Sequence, residues 1–224
     1  MGDLTAAVRN SLRAAADPSL APGQQAYMKS ALPFLGVRVP EVRRLTRALV
    51  KELGIRERDR LVAAATSLWD EATHREERYA AAVLLAQPVL RGDLTLVPLV
   101  EHLVRTGAWW DHVDELAHRV GELHDAHPAA TAALVRDWVR DDFLWIRRLA
   151  ILGQLGRKDR IDLEVLADVI EPNRDDPEFF IRKAIGWALR EASYVHPGWV
   201  RSYVDAHELS PLSRREALKR IGVR

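Results

Sequence analysis

The residues Trp109-Trp-Asp-His-Val-Asp114 set two indoles and two carboxylates within six positions. On a helix, residues four apart share a face, so Trp110 and Asp114 are neighbours. At about 100° per residue they lie roughly 110–120° round from an apolar stripe of Val113, Leu116, Val120 and Leu123. A carboxylate turned off the core beside an indole could stabilise a cation or orient a water. Taken alone, the pair is read as plainly by Trp110 packing on the next element and Asp114 in solvent. In Phe143-Leu-Trp-Ile-Arg-Arg-Leu-Ala150, Arg148 falls at the edge of a stripe of Trp145, Leu149 and Leu152, and Arg147 falls nearly opposite it. A guanidinium held there could fork onto a phosphate, or brace one structural unit against the next. The third cluster, Glu178 to Arg190, sets Phe180, Lys183, Trp187 and Arg190 on one side and Ile181, Ile185 and Ala188 on another. Aromatics interleaved with Lys and Arg suit a sugar-phosphate backbone, and also suit ordinary packing. Gly186 in mid-helix costs about 1 kcal/mol relative to Ala, which points to a close approach there.

Helices must position these groups. Strand patterning is nearly absent, and apolar residues recur at helical spacing from end to end. Val42, Leu45, Leu49 and Leu53 form one predicted stripe, with Pro40 at the helix start and Gly54 as a stop. Thr73 and Glu76 have capping-box spacing ahead of Tyr79 to Ala86. Asp176-Pro177 opens a helix to about Ala192, and Ser210-Pro211 opens a last one that Gly222 closes. About a dozen helices joined by short polar loops are expected. Arg43, Arg78, Arg147 and Arg182 follow steps near 35 or twice that, and Val42-Arg-Arg-Leu45, Trp145-Ile-Arg-Arg148 and Phe180-Ile-Arg-Lys183 resemble one another. A period near 35 with two helices per unit predicts an all-α helical-hairpin solenoid of about six pairs with a concave groove. No stretch reads as an interdomain linker, so residues 1–224 are expected to form one domain.

The bulk properties set limits. The chain has 224 residues, 48% hydrophobic and 29% charged, values of a folded globular protein. There is no cysteine, which excludes disulfides and thiolate metal sites and favours a reducing, cytoplasmic setting. His124 and His127 lack any metal-binding context, and no Gly-rich phosphate loop or serine nucleophile elbow is present. Neither metal nor cofactor is expected. The start carries Asp3 and does not read as a signal peptide, and the longest apolar run is too short to span a membrane. The net charge of +1 does not announce a nucleic-acid partner. Such a partner would need the cations gathered on one face.

Six stretches in register resemble the AlkD-type DNA alkylation repair glycosylases, a HEAT-like family. They are Gln25-Ala-Tyr-Met-Lys29, Phe34-Leu-Gly36, Trp109-Trp-Asp-x-Val-Asp114, Trp145-Ile-Arg-Arg148 with Ala150-Ile-Leu152, Glu178-Phe-Phe-Ile-x-Lys-Ala-Ile-Gly-Trp187 with Leu189-Arg-Glu191, and Leu209-Ser-Pro-Leu-Ser-x-Arg-Glu216. The resemblance implies a monofunctional glycosylase that excises purines alkylated at N3 or N7 (the 3-methyladenine and 7-methylguanine class) from duplex DNA, without a base-flipping pocket. It implies catalytic roles for Trp110, Asp114, Arg148 and Trp187. It implies DNA contacts for Tyr27, Arg43, Arg147, Lys158, Phe179, Phe180, Lys183 and Arg190. A monomer is expected, cytoplasmic and nucleoid-associated when on DNA. Two other functions stay open: a non-catalytic HEAT-like scaffold or DNA binder, and a self-resistance enzyme for bulky natural-product adducts. The second is allowed by Gly153 and Ala192, small residues where the resemblance leads one to expect bulk. Asp114 is expected to line an open groove, so that losing its charge leaves stability unchanged.

Overall fold

The structure, a computed structural model, describes residues 4–222. Among these, thirteen α-helices are joined by short loops and four 3-10 turns, with no strand. The chain divides at Arg91–Gly92 into two compact units.

The first unit holds α1 (Leu4–Ala14), α2 (Ala21–Met28), α3 (Val39–Glu52), α4 (Arg58–Asp70) and α5 (Arg75–Leu85). α5 is its centre: Ala80 to Leu85 are all buried, so this half of the helix is apolar on every side, and α5 packs on α1, α3 and α4. Its first turn departs from the predicted capping box. Thr73 does not cap the helix, and its Oγ1 donates instead to Glu77 Oε1 at 2.7 Å. The Glu76 carboxylate reaches away from its own helix and accepts from the backbone N–H groups of Leu35, Gly36 and Val37 at 2.9–3.1 Å. A buried acid is thereby satisfied by backbone donors that no helix or sheet would otherwise pair. Gly36 is needed in this strap because its φ is +90° and a Cβ would lie 1.9 Å from the Asp17 carbonyl oxygen. On α3 the buried stripe is Val42, Thr46 and Val50, while Leu45 and Leu49 are half-buried and Leu53 is exposed. Thr46, 1% exposed, takes the place assigned to Leu45.

The second unit holds α6 (Val97–Gly107), α7 (Trp110–Ala126), α8 (Pro128–Trp138), α9 (Leu144–Leu152), α10 (Leu163–Ile170), α11 (Phe179–Ala192), α12 (Pro197–Ala206) and α13 (Pro211–Leu218). α7, α9, α11 and α13 pack one upon the next; α6 and α8 back α7 and α9, α10 backs α9, and α12 backs α11 and α13. The predicted stripe Val113, Leu116, Val120 and Leu123 is wholly buried. The repeat also appears in the polar bonds. Asn173 Nδ2 donates to the Val139 carbonyl, 34 residues back, and Trp138 Nε1 donates to Glu101, 37 residues back. Arg136 pairs with Asp168, 32 residues on, and Arg105 with Asp141, 36 residues on. Equivalent positions of successive hairpins therefore lie side by side, as a stacked helical repeat requires.

Gly153 and Ala192 are both buried and open no groove. A Cβ on Gly153 would lie 2.7 Å from Val120 Cγ1, so its small size serves the packing of α9 on α7. The allowance these residues made for bulky adducts loses its basis.

Candidate active site

α6 ends on Ala108 in the left-handed region (φ +40°), and Trp109 follows in extended conformation. This two-residue link starts α7 at Trp110 and leaves the Trp109 ring outside the helix. Trp109 packs against Trp145 of α9 at 5.9 Å and Phe180 of α11 at 5.7 Å between ring centroids. Trp145 and Phe180 are 4.9 Å apart, and Phe179 meets Phe180 edge-on at 5.3 Å. The starts of α7, α9 and α11 are thus pinned by one aromatic cluster, with Phe179 left 54% exposed at its rim.

One turn into α7, Asp114 faces Arg148 of α9. The two form a fork: Nε donates to Oδ1 at 2.9 Å and Nη2 to Oδ2 at 3.0 Å. The third arm, Nη1, donates to the Phe180 carbonyl at 2.6 Å, and the guanidinium carbon lies 5.8 Å from the Phe180 ring centre. Arg148 is 3% exposed. Its expected fork onto a phosphate is therefore replaced by a fork onto Asp114, because the guanidinium lies inside the packing with all three nitrogens engaged. The Asp114 side chain remains 16% exposed. Burial pushes its carboxyl up to about 6; Arg148 pulls the other way and Asp111 adds a small push upward. At neutral pH the group is mostly ionised, but poorly solvated and fixed in direction.

Trp110 stands one turn before Asp114 on α7, and Trp187 stands on α11 one turn beyond Lys183; both are half-buried. Lys183 and Arg190 are not free cations. Lys183 Nζ lies 3.0 Å from Glu216 Oε1, and Arg190 Nη1 lies 2.5 Å from Glu216 Oε2. Gly186 makes this possible, since a Cβ there would lie 2.6 Å from Glu216 Cβ. Arg147 is tied to Asp176 at 2.9 Å and to the carbonyls of Asp141 and Asp142. That side chain braces the start of α9 against the loop ahead of α11 and keeps 16% of its surface in solvent. Lys158 is exposed on a turn with φ +55° and joins none of these clusters. In the first unit, Tyr27 is 74% exposed on α2 and Arg43 is half-buried on α3.

The residues brought together are Asp114, Arg148 and Phe180, with Trp109, Trp145 and Phe179 around them. Two participants lie in stretches that the sequence singles out but receive no role from it: Trp109, which is the residue before its helix, and Glu216. The repeat carries a signal for the second, since Glu216 lies 33 positions beyond Lys183, close to one repeat step. Among the described residues no group of three or more His, Asp or Glu is placed to hold a metal, and no helix is long and apolar enough to cross a membrane.

The family model described as DNA alkylation repair enzyme matches residues 8–221. A structure from Enterococcus faecalis, described as a predicted DNA alkylation repair enzyme, is 32% identical; it covers 93% of this chain and 98% of its own, with a TM-score of 0.84. Two structures from Streptococcus mutans share the fold at a TM-score of 0.62. One, AlkD2, is 17% identical and covers 84% of this chain and 92% of its own. The other, smu.31, is 18% identical and covers 82% and 99%. No curated protein matches the chain.

Proposed function

The chain belongs to the DNA alkylation repair enzyme family, and from that premise we propose that it is a monofunctional DNA glycosylase acting, as a monomer, on cationic alkylpurines in duplex DNA. The observation that carries the proposal is the Asp114–Arg148 fork: a carboxylate held in one direction, largely out of water, yet still open at one side.

A purine alkylated at N3 or N7 carries a positive charge and leaves readily without being protonated. As the C1′–N bond lengthens, its electron pair moves to the base and positive charge builds on the sugar, an oxocarbenium-like state. Asp114 stabilises that charge at short range in a poorly solvated site, where electrostatic help is strongest. Water adds its oxygen to C1′ and loses a proton, which Asp114 accepts and passes to solvent. The products are a neutral alkylated base and an abasic site. Trp110 and Trp187 present indole faces to the sugar, a cation–π contribution of about 0.5–2 kcal/mol. Arg148 is a positioning residue in this scheme, fixing the Asp114 carboxylate. Lys183 and Arg190 take backbone phosphates, and Tyr27, Arg43, Lys158 and Phe179 supply further contacts. The base is released from within the duplex, with no pocket of its own. Arg147 we assign to structure.

The test is incubation of the purified protein with a duplex holding one 7-methylguanine. Free 7-methylguanine should be released, and strand breaks should follow only after alkali. An intact lesion after prolonged incubation with excess protein would remove the glycosylase assignment.

A further inference from the structure

Glu216 lies on α13, in a stretch to which the catalytic scheme gives no role. Its side chain is 8% exposed, yet it is ionised: the Lys183 hydrogen bond, with Arg190 and Lys219 nearby, holds its carboxyl below the usual range against the effect of burial. A buried carboxylate with two cationic partners is ordinarily a packing device. Here the partners' exposure is uneven, since Lys183 keeps 37% of its side chain in solvent and Arg190 keeps 24%. Lys183 and Arg190 are seven residues apart on α11, two turns on the same face, with Trp187 between them. Left to themselves, their heads would spread over roughly 10 Å of helix. Glu216 draws both to the two oxygens of one carboxylate. Two cations sharing one anion leave one positive charge uncompensated, fixed in place beside Trp187. The glycine at 186 serves the same end, because a side chain there would drive α13 and its carboxylate away.

We propose that Glu216 is a positioning residue for DNA: it presets Lys183 and Arg190 as a two-cation seat for a backbone phosphodiester next to Trp187. The inference rests on the DNA-directed reading of the site and deepens it. Glu216 touches neither substrate nor reacting atoms and acts through the two cations. It also limits attraction, by cancelling one charge, so that duplex without damage is held loosely while the seat stays in register.

The test uses Glu216→Gln, which keeps the shape and removes the charge. Affinity for an undamaged, fluorescein-labelled duplex is measured over a range of salt, and single-turnover release of 7-methylguanine is measured beside it. With both cations freed, binding at low salt should tighten by about 3- to 10-fold, and the slope of log K against log salt should steepen by about one phosphate's worth. The excision rate should fall by about tenfold, because the seat has lost its register. In a Lys183→Met, Arg190→Met background the same substitution should change binding by less than about twofold, since nothing is left for Glu216 to position. A variant that binds and excises as the parent does would overturn the proposal. So would weaker binding together with a fallen melting temperature, which marks a merely structural role, or an effect that persists without the two cations. If the parent itself releases no base, the glycosylase reading fails, and the binding arm still decides the role of Glu216.

Discussion

Replacing Asp114 by Asn separates chemistry from architecture, and the geometry fixes what it should do to both. Asn keeps Oδ1 as an acceptor for Arg148 Nε but turns an amide group toward Nη2, where Oδ2 now accepts at 3.0 Å. Arg148, 3% exposed, is left with a charge and no counter-charge. Removing one partner of a buried pair costs 3–5 kcal/mol in general; with Asp114 still partly open, about 3 kcal/mol is expected here. For a chain of this size that lowers Tm by about 6–12 °C. The sequence alone leads one to expect unchanged stability; the pair with buried Arg148 predicts a loss instead. Excision should fall by about 100-fold or more, as when a preorganised electrostatic group is removed. A slow variant that is also less stable invites the objection that it is merely unfolding. Asp114→Asn combined with Arg148→Met answers it. This variant removes both charges, so stability should return to within about 1 kcal/mol of the parent, the remainder being the Phe180 carbonyl that loses its donor. Its excision should remain at least about 100-fold down. The assay is single-turnover release of 7-methylguanine from duplex DNA at a temperature where all variants are folded, with melting curves recorded for each. Parental rates in either variant would remove Asp114 from the mechanism. Equal stability of the single and double variants would show that the fork is not a buried ion pair at all.

Three further outcomes follow from the same structure. Asp114 must be ionised to act and its carboxyl is raised to about 6, so kcat/KM should climb as pH rises through about 6 and level off above; a profile flat from about pH 5 to 7 (about one unit either side) would count against the assignment. Gly186→Ala should destabilise by about 2 kcal/mol despite the better helix propensity of Ala, because the new Cβ would meet Glu216 Cβ at 2.6 Å and the Ser213 carbonyl at 2.9 Å; a rise in Tm would refute the close contact. Glu76→Gln should cost about 2–3 kcal/mol, because its carboxylate accepts from three backbone N–H groups and an amide offers one acceptor oxygen in its place; denaturant unfolding checks it, and an unchanged midpoint would mean that the strap is held by other contacts.

The parts of the molecule legible in sequence are those that depend on one helix at a time. Val113, Leu116, Val120 and Leu123 share a face by periodicity alone, and all four are buried. Ser210 caps α13 as its position ahead of Pro211 suggests, accepting from the Ser213 N–H. Periodicity gives the phase of a helix, however, and not its partner. It identified Arg148, at the edge of its stripe, and Asp114, turned off its own, as separate candidates, and had no means of showing that each satisfies the other. It misplaced the α3 stripe because Thr46 is polar by type, although the residue is buried in the core. Glu76 has the spacing of a local cap but bonds to a segment some 40 residues earlier.

Pairing between helices is nevertheless encoded, at the period of the repeat. Asp114 to Arg148 is 34 residues, Arg148 to the Phe180 carbonyl 32, Val139 to Asn173 34, and Arg182 to Ser213 31. One step along the repeat carries a side chain to the equivalent place on the next hairpin, which is where its nearest polar neighbour stands. Charge complementarity at a lag near 33 is therefore the stacked-helix counterpart of the i to i+4 pairing within a helix. Applied to Lys183 it arrives at Glu216, and applied to Asp114 it arrives at Arg148. The cations expected for DNA in the second unit then sort by their partners. Arg147 is paired with Asp176 and two carbonyls, Arg148 with Asp114, Lys158 stands exposed outside these pairs, and Lys183 and Arg190 share a single carboxylate between two positive charges, as Arg157 and Arg160 share Asp125. Of the second unit's cations that are expected at DNA and stand in ion pairs, Lys183 and Arg190 are left with charge in excess of their counter-ion, and so with the means to hold a phosphate.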